Sequence, residues 1–349
     1  MRNISAMVAG AISLAWALAS VAADLPSDPM PLPLAREVIG QTIALVDSKG
    51  VYPRDRMEYG QAKAQLQLLL LNAPEQVDRA QVHDRIRKLL ATLDADGHSL
   101  LFAPVQQRQM QTTNTANNKR LPSAFQLVST GRNTVLRWTP PPNIDGPDVI
   151  NVNVKRFYDE ADAHPEIKGA CALVVDLSEQ TGGHAWPPLV AMYPLFGAAN
   201  TAKLVDRDGK RTPVVNLAQL EGLSRQGAAG RANPLAPYAA GPLAVVVGKR
   251  TASAGEMLLV ALLGDSRVQT FGQTSYGLST ANATYPLADG SQLVLTEMRY
   301  AQGEQPAYRG GIPVMHPSEQ AAPVDSAVKA AAEWAAANSP ACAATPDKT

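Results

Sequence analysis

Residues 242–267 read PLAVVVGKRTASAGEMLLVALLGDSR, a strand pattern followed by a turn and then a helix pattern. The uninterrupted apolar run PLAVVVGK is typical of a strand buried on both faces. The segment AGEMLLVALLGD follows it as a helix. A similar apolar run, ACALVVDL, ends at Leu177 and leads into a predicted helix at Pro187–Phe196. Alternating strands and helices of this kind predict an α/β core over residues 121–330.

Ser253 stands between the strand and the helix, and two interpretations fit it. Its small neighbours allow a tight turn that exposes the hydroxyl, as at a nucleophile elbow. The N–H of Ala254 would then face the position of an oxyanion. Alternatively, Ser253 and Glu256 form the pattern S-x-x-E of a capping box, in which the serine starts the helix and the glutamate reaches back.

Two further segments carry residues that could complete a site. VVDLSEQTGGHAWPP, residues 174–188, has paired glycines at Gly182 and Gly183, which can supply an oxyanion donor or form a plain strand-to-helix turn. His184 beside them is a candidate base, but a loop histidine is more often a polar surface residue, and that is the expectation here. LDADGHSLLFAP, residues 93–104, places His98 where it could serve as a general base or remain an ordinary loop histidine.

The rest of the chain limits the class of protein. Apolar residues make up 46% and charged residues 18% of the 349, and the formal net charge is zero. These values are ordinary for a globular protein and give no electrostatic reason to expect nucleic acid or an anionic membrane as a partner. No spacing of a metal site is present, and no cofactor is expected. His83, on a predicted helix, is interpreted as a surface or packing residue.

The N-terminal segment has one early arginine, an apolar run and small residues that end at Ala23. This pattern predicts a secretory signal peptide cleaved after Ala22 or Ala23, with an N-terminal membrane anchor as the alternative. The mature protein is therefore expected to be exported, periplasmic or secreted. Export would permit a disulfide between Cys171 and Cys342, the two cysteines of the chain. The spacing leaves their pairing open, and Cys171, which begins an apolar run, is interpreted as a small buried hydrophobe.

The chain is predicted to have five parts. These are a signal peptide (1–23), an N-terminal helical region ending in DGHS (24–105), a polar linker (106–120), the α/β core (121–330) and a helix end with a flexible tail (331–349).

The order DGHS, DLxxxxGG, TASAGE and GxxxxGLST resembles the C-terminal-processing (tail-specific) serine peptidase family, which includes the tricorn protease core and retinoid-binding-protein modules. The resemblance covers His98–Gly311. It implies a crotonase- or Clp-like α/β core of ββα units with a small N-terminal helical region. It also implies that Ser253 is the nucleophile, with Ala254, Gly182 and Gly183 at the oxyanion hole.

The sequence departs from the family at two positions. Tail-specific members use a Ser–Lys dyad, but Leu278 stands at the lysine position, so Lys249 or another lysine would have to substitute. The tricorn-like branch uses a histidine instead, and His98 matches its motif. That branch also places a glutamate near the end of the core, where this chain has Tyr308 and Arg309. The substitutes considered for the acid that orients His98 are Glu256, Glu297, Asp94 and Asp96.

The resemblance therefore implies a serine peptidase in which His98 activates Ser253 toward a peptide or protein substrate. About 70 residues separate DGHS from the DL strand, which leaves no room for a PDZ module. Two alternatives remain open at this point. One is an esterase or amidase that uses the same Ser–His pair, and the other is a non-catalytic ligand-binding member of the family.

Overall fold

A computed structural model describes residues 28–93, 97–106, 125–142, 148–318 and 324–344. The predicted signal peptide, nearly all of the polar linker, Asp94, Asp96 and the last five residues lie outside the described residues. The helices are α1 (Leu32–Lys49), α2 (Arg56–Leu68), α3 (Arg79–Ala91), α4 (Val149–Ala163), α5 (Trp186–Ala191), α6 (Leu217–Ala228), α7 (Ala254–Leu263), α8 (Val324–Asn338) and α9 (Pro340–Ala343). The strands are β1 (Pro29–Pro31), β2 (Gln76–Asp78), β3 (Leu100–Phe102), β4 (Phe125–Thr130), β5 (Asn133–Trp138), β6 (Ala172–Asp176), β7 (Ala202–Asp206), β8 (Arg211–Pro213), β9 (Leu243–Val247), β10 (Val268–Gly272), β11 (Thr280–Pro286), β12 (Gln292–Gln302) and β13 (His316–Pro317).

The main sheet has six strands in the order β13-β10-β9-β6-β5-β4, all parallel except β4. Every residue of β6 and β9 is buried. Side chains alternate between the two faces of a strand, so Val175 and Val245 pack with α7 in one core. Val174 and Val246 pack with α8 in a second core. The sheet is thus the middle of three layers, which is why both strands read as continuous apolar runs.

A second sheet, β11-β12-β7-β8 with β3 beside β12, carries the N-terminal helices. Leu101 of β3 and Leu293 and Leu295 of β12 are buried against α1 and α3. Asp55 and Asp78 start α2 and α3, because their carboxylates accept hydrogen bonds from backbone N–H groups of the first turns. This arrangement brings His98 and Ser99, which lead into β3, onto the second sheet.

The predicted fold class is confirmed: the protein is a mixed α/β structure with a small N-terminal helical region. The predicted helix Pro187–Phe196 is too long, since α5 ends at Ala191 and Tyr193–Leu195 forms a 3-10 turn. Pro194 lacks an N–H and disfavours the helical conformation in the residue before it, which explains the early end. Within the described ranges, no helix is both long and apolar enough to cross a bilayer.

Cys171 and Cys342 form a disulfide, which resolves the pairing that the sequence left open. Their Cα atoms are 4.9 Å apart. Cys171 lies just before β6 and Cys342 lies in α9, and the Ser339 hydroxyl donates a hydrogen bond of 2.6 Å to the Cys171 carbonyl. The disulfide therefore fixes the C-terminal helices to the main sheet at the end where strand β6 begins.

Candidate active site

The turn between β9 and α7 is held by its own backbone and by the neighbouring strand. The Thr251 N–H donates to the Gly248 carbonyl at 2.9 Å, and the Thr251 hydroxyl accepts from the Gly248 N–H at 3.0 Å. The same hydroxyl donates to the Leu177 carbonyl at 2.7 Å. Gly248 is required here, because a Cβ at this position would lie 2.9 Å from the Ser178 carbonyl oxygen. The turn is consequently fixed against the end of β6.

Ser253 has φ 52° and ψ −112°, a backbone conformation that non-glycine residues rarely adopt. An ordinary helix-capping residue has an extended backbone, so capping alone does not require this conformation. Asp148 and Ala229 also have positive φ, but both lie in the common left-handed region. Strain of this kind costs about 1–3 kcal/mol and concentrates at functional sites. The backbone of Ser253 is therefore that of a strained elbow at which a helix also begins.

The glycine loop after β6 packs directly against this elbow. The Ala252 N–H donates a hydrogen bond of 3.0 Å to the Gln180 carbonyl, and Gln180 is buried. Gly182 has φ 134° and Gly183 has φ 111°, values that favour glycine. The structure thus packs Gln180, two residues before the Gly182–Gly183 pair, against the residue before Ser253.

Glu256 is fully buried and joins the elbow to the loop that follows β10. Its carboxylate accepts hydrogen bonds from the Ser275 hydroxyl (2.5 Å), the Gly277 N–H (2.9 Å) and the Ser253 N–H (3.2 Å). The last of these is the reach-back bond of the predicted capping box. Burial raises the pKa of Glu256 to about 7, although the hydrogen bonds lower it in part. The contacts described here direct this carboxyl group toward the elbow and the loop.

His98 is buried and meets the end of the same loop. Its Nδ1 forms a short hydrogen bond with the hydroxyl of Thr280, the first residue of β11. The Asn282 side chain donates to the His98 carbonyl at 3.0 Å, which fixes the backbone of the DGHS segment on the second sheet. Residues 273–280 therefore connect the elbow to His98. Within this segment, Gly277 contacts the carboxylate of Glu256, and Thr280 contacts the imidazole of His98.

The other histidines considered in the sequence have different surroundings. His184 is buried, so the expectation of a surface residue is wrong; the two positive-φ glycines before it redirect the chain. His83 has the packing role that was one of its two interpretations. Its Nε2 lies 2.7 Å from the buried carboxylate of Asp289, in the turn between β11 and β12. Hydrogen bonds from His83 and Ser291 hold the pKa of Asp289 below its usual range, against the effect of burial.

A cavity of about 890 Å³ lies beside the elbow. Its lining residues are Thr181, Lys249, Arg250, Ala252, Thr274, Ser275, Tyr276 and Leu278. Leu278, at the position of the family's lysine, is buried in this wall. Lys249, considered as a replacement for that lysine, also lies in the wall and is exposed at the turn before Ser253. The cavity is large enough for several residues of a peptide.

Comparison with known proteins agrees with this geometry. Residues 149–312 match peptidase family S41. This segment, just under half of the chain, is similar to peptidase family S41. The predicted resemblance to C-terminal-processing serine peptidases is confirmed. The chain is 39% identical over 88 residues to carboxyl-terminal-processing peptidase 2, chloroplastic, of Arabidopsis thaliana, and 28% identical over 124 residues to the nisin-resistance protein of Lactococcus lactis subsp. lactis.

These sequence matches are partial. They cover 24% and 36% of this chain, and the matched regions span 16% and 38% of the two relatives. Solved structures extend the likeness in fold. A lipoprotein from Streptococcus agalactiae covers 91% of this chain and 99% of its own with a TM-score of 0.66, at 16% identity. The photosystem II D1 C-terminal processing protease covers 88% and 98% with a TM-score of 0.55, also at 16% identity.

Three contacts around the candidate site could not be found from the sequence. Thr280 and Ser275 lie within the motif GxxxxGLST, but nothing local shows that their hydroxyl groups meet His98 and Glu256, which are 182 and 19 residues away. Arg137 forms an ion pair with the buried Asp176, which also accepts from the Ser178 N–H at 2.9 Å. This pair holds the end of β6, where the glycine loop begins.

Proposed function

We propose that the protein is an exported serine peptidase that cleaves peptide bonds through an acyl-enzyme on Ser253. The strained backbone of Ser253 at the strand-to-helix turn is the observation that carries this proposal. A nucleophile gains from this position, because small neighbours expose its hydroxyl and the start of α7 adds partial positive charge. The match to peptidase family S41 supports the same reaction class.

In the proposed mechanism, His98 removes the proton from the Ser253 hydroxyl as the oxygen attacks the substrate carbonyl. The backbone N–H groups of Ala254 and of Gly182 or Gly183 stabilise the negative charge that develops on the carbonyl oxygen. His98 then protonates the leaving amine, and water releases the acyl group by the same steps. Leu278 cannot accept a proton, so the lysine-based mechanism is not proposed.

We assign the orientation of His98 to Thr280 and the support of the elbow to Glu256. The hydroxyl of Thr280 contacts Nδ1, and we assign the proton exchange with Ser253 to the other ring nitrogen, Nε2. Glu256 is one of the candidates that the sequence offers for the acid that orients His98. Its hydrogen bonds to the Ser253 N–H and to the loop favour a positioning role for the nucleophile instead.

Export is proposed from two independent features. The N-terminal sequence has the pattern of a signal peptide. The Cys171–Cys342 disulfide is of the kind that persists in oxidising compartments. The S. agalactiae protein with the same fold is a lipoprotein, and the L. lactis relative is a nisin-resistance protein, both consistent with activity outside the cytoplasm.

A fluorophosphonate probe tests the nucleophile directly, because it labels only activated serines. We expect labelling of the wild-type protein at Ser253 and loss of labelling in Ser253→Ala and His98→Ala. Ser266→Ala is the matched control, since Ser266 is an exposed serine just beyond α7, and it should label like the wild type. Absence of labelling in the folded wild-type protein would favour a non-catalytic binding protein. Labelling with ester hydrolysis but no peptide hydrolysis would favour an esterase.

A further inference from the structure

Strand β11 holds His98 at two separate points. The Thr280 hydroxyl contacts Nδ1 of the ring, and the Asn282 amide donates a hydrogen bond of 3.0 Å to the His98 carbonyl. Side chains two residues apart on a strand lie on the same face, so one strand presents both groups to His98. The two contacts lie at opposite ends of the side-chain bonds about which the ring turns. With both ends fixed, the ring keeps one direction relative to the second sheet.

The amide of Asn282 is directed by Thr296 of β12. The Thr296 hydroxyl donates a hydrogen bond of 2.9 Å to Oδ1 of Asn282. An amide side chain has a donor end and an acceptor end of nearly the same shape. The bond from Thr296 fixes which end is which, and it leaves the donor Nδ2 facing the His98 carbonyl.

Thr296 also contacts the residue that follows His98. Its N–H donates a hydrogen bond of 3.1 Å to the hydroxyl oxygen of Ser99, and its carbonyl accepts from the Val51 N–H at 2.9 Å. Thr296 and Ser99 are both buried. Thr296 is therefore fixed by its backbone on one side, and it supports the His98 segment both directly and through Asn282.

An irregularity in the strand pairing brings Asn282 and Thr296 together. Ala281 lies opposite Met298, and a regular antiparallel register would place Asn282 opposite Glu297. The register shifts at this point, so that Asn282 lies opposite Thr296 instead. Such irregularities re-aim side chains and are frequent beside active sites.

The cohesion of the sheet does not require these polar groups. Leu293 and Leu295 of the same strand are buried and hold it to the N-terminal helices through apolar contacts. A buried polar group stabilises less than an apolar one unless each of its bonds is made. A hydrogen-bonded network does, however, fix one geometry, which apolar packing does less strictly. The network therefore favours a role in orientation.

We propose that Asn282 and Thr296 are positioning residues that hold His98 in the orientation in which it acts on Ser253. This inference rests on the proposed function, in which His98 is the general base. Neither residue is among the described lining of the cavity beside the elbow, so both act through His98. Their loss is then expected to slow the reaction and to leave substrate binding unchanged.

Steady-state kinetics of the full chain with a peptide substrate test this expectation. Asn282→Leu keeps the approximate size of the side chain and removes its donor, and kcat should fall about 10- to 30-fold with KM changed by less than about twofold. Thr296→Val keeps the shape and removes the hydroxyl, so kcat should fall about 3- to 10-fold. Thr296→Ser restores the hydroxyl and should recover most of the rate. Normal kcat in Asn282→Leu would overturn the proposal.

Leu287→Ala is the matched control for a loss of stability alone. Leu287 is buried in the N-terminal core, in the turn between β11 and β12, at the other end of this strand pair. The variant should unfold at lower urea concentration and keep a normal kcat where it is folded. A fall in kcat equal to that of Asn282→Leu would mean that the hairpin acts through stability, which contradicts a positioning role.

A double variant tests whether the two contacts on His98 act as a unit. If both are needed to fix the ring, the loss of either one releases it. Thr280→Val combined with Asn282→Leu should therefore be about as slow as the slower single variant. A rate reduced by the product of the two single effects would show independent contributions and would overturn the two-point arrangement.

The orientation of the ring is also measurable without substrate, which separates this inference from the proposed function. NMR of the protein with ¹⁵N-labelled histidine reports the two ring nitrogens, and the His98 signals are those lost in His98→Gln. Asn282→Leu should move them toward the averaged values of a freely exchanging imidazole, and Leu287→Ala should not. Unchanged His98 signals in Asn282→Leu would overturn the positioning role. Altered signals in a protein without peptidase activity would support that role and contradict the proposed function.

Discussion

Ser253 keeps its strained backbone because groups on both sides of it are fixed. The residue before it donates to Gln180, its own N–H donates to Glu256, and its carbonyl accepts from the Met257 N–H at 3.0 Å. Each of these partners belongs to a buried segment of the fold. The hydrogen bonds that fix these neighbours offset the cost of the backbone conformation at this single residue.

The pKa of Glu256 predicts how stability depends on pH. Because the folded-state pKa is about 7 and the reference value is 4.5, the folded protein binds more protons than the unfolded chain between these values. Protonation of Glu256 therefore stabilises the folded protein. This stabilisation is present in full below about pH 4.5 and is lost as the pH rises through 7. The difference between the two pKa values corresponds to about 3 kcal/mol in the free energy of unfolding. Urea unfolding at pH 5 and pH 8 should show this loss in the wild-type protein and not in Glu256→Gln.

The comparison for this prediction is Glu221→Gln, which alters a half-exposed glutamate on α6 that pairs with Arg225. That variant should keep the same difference between pH 5 and pH 8 as the wild-type protein. An unchanged pH dependence in Glu256→Gln would mean that other groups cause the loss, and it would contradict the assignment.

Thr280 offers a test of how His98 is oriented. Thr280→Val keeps the shape of the side chain but removes the hydroxyl at Nδ1, so the ring loses a positioning contact. We expect kcat to fall about 10- to 100-fold while KM changes little. Thr280→Ser, which restores the hydroxyl, should recover most of the rate.

Thr284→Val on the same strand is the control, because its hydroxyl has no hydrogen-bond partner among the described residues. It should leave kcat unchanged. A Thr280→Val protein with normal kcat and an unaltered pH profile would show that the histidine is held by other contacts.

At the scale of elements, apolar runs and turn residues predicted the strands and helices that are encoded by neighbouring residues. β6, β9 and α7 follow from apolar runs and turn residues within about ten positions. Helix α4 was not predicted, because Val and Asn alternate in VINVN as they would in a strand. It forms a helix because Val154, Phe157, Tyr158 and Ala161 then share one buried face.

The residues of the candidate site that lie in short motifs were predictable, but the contacts between distant segments were not. Ser253, Glu256 and the glycine pair lie in short motifs, whereas Thr280 is 182 residues from His98 in the chain. Such a contact depends on how the second sheet is placed against the loop after β10, and no local pattern encodes that placement. The disulfide is a similar case, since its cysteines are 171 residues apart.

Gly255 tests the packing between the elbow and the glycine loop. A Cβ at Gly255, in the first turn of α7, would lie 2.3 Å from the Gln180 carbonyl oxygen, so Gly255→Ala must displace the loop. We expect fluorophosphonate labelling to slow by about tenfold or more and the free energy of unfolding to fall by about 1–3 kcal/mol. The labelling rate and urea unfolding measure the two effects.

Gly222→Ala is the matched control, because a Cβ at this position in α6 would meet no atom within 4 Å. Alanine favours a helix over glycine, so the control should be more stable by about 0.5–1 kcal/mol and label normally. Normal labelling in Gly255→Ala would mean that the loop and the elbow do not depend on each other.

In the whole molecule, the main sheet separates the candidate site from the C-terminal helices. The elbow follows the carboxyl end of β9, and the cores on the two faces of the sheet contain α7 and α8 respectively. The loop after β10 then crosses to the second sheet, where His98 lies. A change confined to α8 and α9 is therefore expected to affect stability more than chemistry.

The disulfide gives this expectation a quantitative form. It closes a loop of 171 residues, and a cross-link of that span restricts the unfolded chain, which stabilises the fold by about 3–5 kcal/mol. Cys171→Ala together with Cys342→Ala should lose that free energy of unfolding and should raise hydrogen exchange across α8. Reductant should shift the stability of the wild-type protein toward that of the variant and leave the variant unchanged.

Fluorophosphonate labelling should persist in the variant under conditions where it is folded, because the elbow lies on the other side of the sheet. Loss of labelling without loss of stability would instead show that the C-terminal helices support the site itself.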